Sequence, residues 1–175
     1  MAEFSPKFKE ALSLVQKPGR YTGGEPGCVY KDKSRVDVRM AFCFPDTYEI
    51  GMSNLGMRIL YGVMNGMDGV WCERVFAPWG DMEQAMRDNS LPLWALESQT
   101  PVREFDMIAF TIGYEMAYSN ILNMLNLAGV PLRSKDRQGL KNIVFAGGVC
   151  AFNPEPLADF IDLSLIHISE PTRHL

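Results

Sequence analysis

The chain has 175 residues, of which 47% are hydrophobic and 22% are charged, and its formal net charge is −4. This length can bury a substantial core, the composition excludes a disordered chain, and the acidic balance argues against nucleic acid as a main partner. No apolar run approaches the roughly 20 residues of a membrane span, and the first residues lack the layout of a signal peptide.

The four cysteines are widely spaced: Cys28, Cys43, Cys72 and Cys150. No CxxC or CxxxCxxC motif occurs, so the sequence encodes no local iron–sulfur or zinc site, and we expect a reducing, cytoplasmic setting. Both histidines, His167 and His174, lie in the last residues of the chain. This position excludes an imidazole metal ligand and a histidine-dependent nucleophile in residues 1–163.

Residues 1–35 are predicted to be a lead-in of one helix and a loop. Ser5 can cap the helix, and Phe8, Leu12 and Val15 form one apolar stripe. We expect this stripe to pack on the main domain while the lysines remain in water. The alternative is that the basic residues of the helix bind an acidic partner.

Residues 36–163 are predicted to form one α/β domain. The predicted strands are 36–44, 70–77, 105–112, 142–148 and the start of a further strand at 161–163, with a short extra strand at 93–96. The predicted helices are 55–64 with Ser53 or Asn54 as its cap, 82–88 with Asp81 as its cap, and 115–128 closed by Gly129, followed by a helical turn near residue 160. Residues 46–56 are predicted to be a polar loop, and 134–141 a charged connector.

Strands and helices alternate, and the connections are too long for hairpins. This pattern predicts a Rossmann-like, doubly wound, mostly parallel sheet with right-handed crossovers. We favour the flavodoxin-like strand order 2-1-3-4-5, in which the switch point lies between the first and third strands.

Three segments are expected to meet at the carboxyl ends of the strands: 45–56, 111–115 and 147–155. Ligands of open α/β sheets bind at this edge. The segments contain neither GxGxxG nor GxxxxGK[ST], which makes a dinucleotide fingerprint and a P-loop poor interpretations. Gly147 and Gly148 could form a ligand floor, because a backbone without Cβ admits close approach, or they could form a tight turn.

The other candidates at this edge each have a structural alternative. Asp46, Glu49 and Glu115 could act as acids or bases, but satisfying backbone amides or facing solvent is the favoured interpretation. Met52, Met57 and Met116 could give an adaptable ligand surface, but filling the core is the favoured interpretation. Tyr48 and Tyr114 could pack against a flat ligand.

No catalytic and no metal-binding residue is predicted. The candidate cofactor-binding residues are Pro45, Asp46, Tyr48, Glu49, Gly51, Met52, Ser53, Asn54, Thr111, Gly113, Tyr114, Glu115, Gly147, Gly148, Val149 and Asn153.

Several segments taken together resemble one known family: residues 44–56, 72–79, 114–125, 146–156 and the lead-in at 17–21. The family is that of radical S-adenosylmethionine (SAM) proteins with an N-terminal cobalamin-binding-like domain. The resemblance implies a cobalamin-binding Rossmann-like fold, with the first-strand loop and Gly147–Gly148 lining the cobalamin or its nucleotide tail. It also implies a C-terminal radical SAM domain, the expected partner, that holds a [4Fe–4S] cluster and S-adenosylmethionine.

This sequence departs from the family pattern in two ways. The cobalamin-binding signature DxHxxG supplies a histidine to cobalt, whereas Asp46-Thr47-Tyr48 has a tyrosine at that place. The cluster motif CxxxCxxC is absent, so the chain by itself is not expected to perform the radical step.

The resemblance predicts a module that presents a corrinoid or a substrate to a radical SAM domain. The alternatives are a cofactor-free docking domain and a flavodoxin-like electron-transfer module, which would need more hydroxyls than Thr47 and Ser53 provide. Residues 164–175 resemble a translated sequencing-adapter tail, so we expect a non-native end; the alternative is a genuine extension.

Overall fold

The structure, a computed structural model, describes residues 5–165, and its centre is a five-stranded sheet. The strands are β1 (Val38–Phe44), β2 (Val70–Phe76), β3 (Met107–Thr111), β4 (Ile143–Gly147) and β5 (Leu163–Leu165). All four pairings are parallel, in the order β2-β1-β3-β4-β5. The predicted fold class and strand order are confirmed.

Five α-helices, joined by short 3-10 turns, accompany the sheet in the described residues. They are α1 (Pro6–Ser13), α2 (Tyr48–Ser53), α3 (Leu55–Asn65), α4 (Gly80–Asn89) and α5 (Tyr118–Ala128). No helix within residues 5–165 is long and apolar enough to cross a bilayer.

The first face of the sheet is covered by α1, α4 and α5. Ile108 of β3 and Val144 of β4 are fully buried there, against Met82 of α4 and Ile121 of α5. The strands read as continuous apolar runs because the central part of a parallel sheet is buried on both faces. The larger of the two hydrophobic clusters forms on this face.

The helix α3 packs on the second face, over β1 and β2. Met57 and Tyr61 of α3 pack on Met40 and Phe42 of β1 and on Cys72 of β2, forming a smaller cluster. Of the two predicted caps, Asn54 is the one that caps α3, since its Oδ1 accepts the Met57 N–H at 2.9 Å. Helices therefore lie on both faces, as a doubly wound sheet requires.

The lead-in helix packs on the first face, as expected. The Ser5 hydroxyl caps α1 by accepting the Phe8 N–H at 3.3 Å. Phe8 and Val15 are buried, and the Phe8 ring meets the Trp94 ring edge-on at 4.5 Å. Lys7 stays exposed. The start of the chain therefore contributes to the main core.

A predicted strand and a predicted helix cap are wrong. The strand expected at 93–96 forms only an isolated bridge between Trp94 and Pro101, because its amides bond elsewhere. The Leu96 N–H, for example, donates to the Arg74 carbonyl at 2.9 Å. Asp81 does not cap α4, because the helix begins at Gly80. The Asp81 carboxylate instead accepts the Gln16 N–H at 2.9 Å, which joins α4 to the segment that follows α1.

The two ends of the β3–β4 crossover match the prediction in part. The helix expected from residue 115 begins as a 3-10 turn, Glu115–Ala117, and becomes α-helical at Tyr118. It ends as predicted at Gly129, which adopts a left-handed conformation with φ +68°. Ser164 and Leu165 of the predicted tail extend β5; residues 166–175 lie outside the described residues.

Candidate functional site

The carboxyl ends of β1, β3 and β4 meet at one edge of the sheet. β1 lies between β2 and β3, so the chain leaves β1 and β3 in opposite directions. The switch point of the sheet therefore lies between these two strands, where ligands of doubly wound folds bind. The candidate site is built on the segments that follow these strand ends.

Two hydrogen bonds join the loops across the switch point. The Tyr114 hydroxyl donates to Asp46 Oδ2 at 2.5 Å, and the Asn120 side-chain amide donates to the Pro45 carbonyl at 2.9 Å. The other carboxylate oxygen of Asp46 accepts the Thr47 N–H at 2.7 Å. Asp46 thus satisfies a backbone amide, as the favoured interpretation had it, and it also holds Tyr114.

The hydrogen bond to Asp46 raises the pKa of the Tyr114 hydroxyl, and partial removal from water adds to the rise. We therefore expect Tyr114 to ionise only above the ordinary tyrosine value of about 10. The neutral phenol is favoured in the folded state, so the bond's contribution is complete below about pH 10 and is lost as the pH rises through the folded pKa.

An ultraviolet difference titration between the protein and its Tyr114→Phe variant isolates this one phenol. We expect the Asp46→Asn variant to bring its midpoint down towards the ordinary value, because the carboxylate charge is gone. An unchanged midpoint in Asp46→Asn would mean that the Asp46 carboxylate does not hold the phenol in solution.

The segment after β1 is the helix α2, so the loop predicted at 46–56 is wrong. Gly51 is buried in α2, and a Cβ there would lie 2.1 Å from Phe76 Cε1 and 3.2 Å from Phe44 Cδ1. The helix forms because a glycine lets it sit directly on these rings. Ser53 Oγ donates to the Ile50 carbonyl at 2.8 Å.

Tyr48 and Met52 lie against a buried ionic cluster. The Tyr48 hydroxyl donates to Glu25 Oε1 at 2.7 Å, and Met52 Sδ lies 3.0 Å from Arg74 Nη1. Arg74 forms ion pairs with Glu25 at 3.0 Å and with Glu97 at 2.6 Å. Tyr48 and Met52 therefore both contact this ionic cluster.

The predicted site residues do not include Glu25, Arg74 and Glu97. One signal for them was present, because Glu73 and Arg74 interrupt the apolar run of β2. Charged residues in a core strand are almost never fully buried unless they are paired. Their partners, Glu25 and Glu97, lie in loops whose sequences carry no such signal.

Glu49 connects the edge to the lead-in. Its Oε1 lies 2.7 Å from Arg20 Nη2 and 3.6 Å from Lys17 Nζ, and the hydrogen bond from Arg20 lowers the pKa of this carboxyl. Arg20 in turn lies over the Trp79 ring, 5.2 Å from its centroid. Glu49 thus holds an arginine beside an exposed aromatic side chain.

Gly148 makes a close contact between two strand ends. Its φ is +107°, and a Cβ there would lie 2.6 Å from the Ile112 carbonyl oxygen. The Ile112 N–H donates to the Gly147 carbonyl at 2.7 Å. The chain itself therefore requires a glycine at position 148, because it packs the end of β4 against the end of β3.

The remaining candidates divide between the edge and a nearby cavity. Gly113, Glu115 and Val149 are exposed at the edge, and Thr111 ends β3 half-buried. Asn153 lines a cavity of about 270 Å³ beside β4 and β5. Its lining is Ile112, Ala146, Cys150, Ala151, Asn153, Pro154, Leu157, Ala158, Ile161, Asp162, Leu163 and Ser164.

Exposed apolar side chains follow the strand ends along the carboxyl edge of the sheet. We call this set the apolar rim: Ile50, Trp79, Tyr114, Met116, Val149 and Phe152. They follow the carboxyl ends of β1, β2, β3 and β4, and Met116 is 83% exposed. Contiguous exposed apolar surface marks an interaction or ligand site.

Metal ligation finds no support within residues 5–165. No group of three or more histidine, cysteine, aspartate or glutamate side chains is placed there to hold an ion. Burial raises the pKa of the Cys43 thiol. Burial also raises the pKa of the Cys72 thiol, and the repulsion of nearby carboxylates raises it further. Both thiols are therefore kept protonated and inert.

The comparisons with known proteins give one match. No curated protein and no solved structure matches the chain. The family of radical SAM proteins, N-terminal, matches residues 56–172, which is more than half of the sequence. This chain belongs to that family, as an N-terminal region of a radical SAM protein.

Proposed function

We propose that this chain is the module of a radical SAM protein that presents a corrinoid, or a substrate held beside it, to the catalytic domain. The observation that carries the proposal is the apolar rim at the switch point. Doubly wound sheets bind their ligands at this edge. A flat macrocycle would cover the exposed apolar side chains there.

The residues of the edge fit a corrinoid held by contact alone. Val149 and Phe152 offer apolar surface, and the exposed ring of Tyr114 offers an aromatic face with a polar tip. The cavity beside Asn153 is close in size to the smaller ligand pockets, so it could accept part of a nucleotide tail. Cobalt would receive no protein imidazole, because residues 1–163 contain no histidine.

The work of this chain would be to hold and orient. A bound corrinoid would supply a carrier for a methyl group. Asp46 and Tyr114 fix the two loops that flank the switch point, and Arg20 holds Trp79 at the rim. The cluster that cleaves S-adenosylmethionine would belong to the catalytic domain, since no CxxxCxxC motif occurs here.

A second candidate, a docking domain without a cofactor, also has support. Gly51 and Gly148 are both explained by packing within the chain. The Asp46 carboxylate is satisfied by Tyr114 and Thr47, so it requires no ligand. On this interpretation the apolar rim would contact protein instead of a corrinoid.

Incubation with hydroxocobalamin, desalting and a visible absorption spectrum distinguish the two candidates. We expect the 175-residue chain to retain corrinoid. The double variant Val149→Asp/Phe152→Asp should bind corrinoid with an affinity at least about tenfold lower, or about 1.4 kcal/mol weaker. Charged side chains in this place would lose apolar contact without disturbing buried packing, because both residues are exposed.

Leu140→Asp is the matched control. Leu140 is exposed to a similar degree but precedes β4, at the opposite edge of the sheet. Its substitution should leave retention unchanged. A folded chain that retains no corrinoid would reject the first candidate and favour docking. An equal loss of bound corrinoid in the double variant and in Leu140→Asp would show that the apolar rim is not the binding surface.

A further inference from the structure

The second face of the sheet is covered only in part within residues 5–165. α3 packs over β1 and β2. The pairing register places Met107 of β3 and Ile143 of β4 on this same face, in one row with Met40. The next row carries Phe145 of β4 and Leu163 of β5. These rows extend beyond α3.

The two faces of β4 differ sharply in exposure. Val144 and Ala146 point to the first face and are 0% and 2% exposed. Ile143, on the second face, is 47% exposed, and Leu163 of β5, which pairs with Phe145, is 54% exposed. Parallel sheets are normally covered on both faces, so large apolar side chains left open in this way indicate a missing layer.

The side of α3 that faces away from the core is also apolar. Ile59, Leu60 and Val63 are exposed there, and Arg58 is the one charged residue in the helix. A surface helix normally carries polar residues on its outer side. Tyr61 bonds the lead-in at Val29, which fixes the opposite flank of the helix. Leu60 and Val63 lie on the exposed side of α3, away from this contact.

We call the exposed and half-buried apolar residues of α3, β4 and β5 on this side of the sheet the open face: Ile59, Leu60, Val63, Ile143, Phe145 and Leu163. We infer that the open face is the docking site for an apolar helix from the rest of the same radical SAM protein. The inference rests on the proposed function in taking that remainder as the partner. It identifies a contact separate from the carboxyl edge.

Three observations favour this occupant. The open face carries no charge, so its partner must be apolar. The family match identifies the chain as an N-terminal region, so further polypeptide follows in proteins of this family. β5 pairs at Leu163 with Phe145, so the last described strand lies beside the open face. A helix that follows a parallel strand packs back onto one face of its sheet.

Cysteine labelling tests the inference. Val63→Cys and Ile143→Cys variants of the 175-residue chain and of the full-length protein are treated with a maleimide, and labelling at each site is measured by peptide mass spectrometry. We expect both sites to react readily in the 175-residue chain and at least about tenfold more slowly in the full-length protein, because a docked helix excludes the reagent.

Leu14→Cys is the control, since Leu14 is exposed at the end of α1 on the other side of the sheet. It should react alike in both proteins. Equal labelling of Val63→Cys and Ile143→Cys in both proteins would overturn the inference. Protection that appears in the 175-residue chain and disappears on dilution would also overturn it, by assigning the open face to a second copy.

A Phe152→Cys variant separates this inference from the proposed function. Protection from labelling at residue 152, with none at 63 and 143, would mean that the rest of the protein contacts the carboxyl edge only. That result would reject the open face as a docking site. Protection at 63 and 143 in a protein that retains no corrinoid would support the open face and reject the corrinoid.

Discussion

Replacing Glu97 by alanine is expected to lower the free energy of unfolding by about 3–5 kcal/mol, because it leaves the buried Arg74 guanidinium without its main partner. The Glu97 side chain is 0% exposed and that of Arg74 is 9% exposed. Burial lowers the pKa of Arg74, but the attraction of its acidic neighbours, Glu97 first and Glu25 among them, together outweighs burial and raises the pKa, so the arginine is charged. Chemical denaturation measures the loss.

The double variant Arg74→Met/Glu97→Leu should recover much of that stability, because replacing both charges with apolar groups of similar volume is often neutral. Glu10→Ala removes an exposed glutamate and should change stability by no more than about 0.5 kcal/mol. A small effect of Glu97→Ala, comparable with that of Glu10→Ala, would show that water reaches Arg74.

Replacing Gly148 by alanine is expected to destabilise the fold by about 2–4 kcal/mol. At φ +107° and ψ 176° the residue occupies a region that is essentially restricted to glycine, and this conformation alone costs another residue about 1–3 kcal/mol. The new Cβ would also meet the Ile112 carbonyl oxygen at 2.6 Å, so backbone must move. Thermal and chemical denaturation check the prediction.

Gly113→Ala is the matched control at the same edge. A Cβ there would have no neighbour within 4 Å, and its backbone is not left-handed. We expect no more than about 0.5 kcal/mol of change. If Gly148→Ala were as harmless as Gly113→Ala, the contact between the ends of β3 and β4 would not be rigid.

The Gly148 prediction determines how corrinoid binding should be tested. A substitution at Gly148 that abolished retention would be ambiguous, because loss of local structure would have the same effect. The exposed rim residues Val149 and Phe152 avoid this ambiguity. The candidate site is therefore better probed by its apolar surface than by its glycines.

Much of the fold could be predicted from local patterns. The apolar runs in β1 to β4 and the crossover lengths predicted a parallel sheet, and the caps Asn54 and Gly129 were found because their signals are local. α2 was missed because its stability comes from Gly51 lying on Phe76, and that contact is invisible in the sequence.

Apolar periodicity and the lengths of the connections predict which segments become strands and helices, and that their polar and glycine-rich ends gather at one edge. The contacts that those residues make depend on how the whole chain packs. Tyr114 reaches Asp46, and Arg74 reaches Glu97, across long separations in the chain. Such pairs form because packing of the sheet and its helices brings distant loops together, and no local pattern encodes that distance.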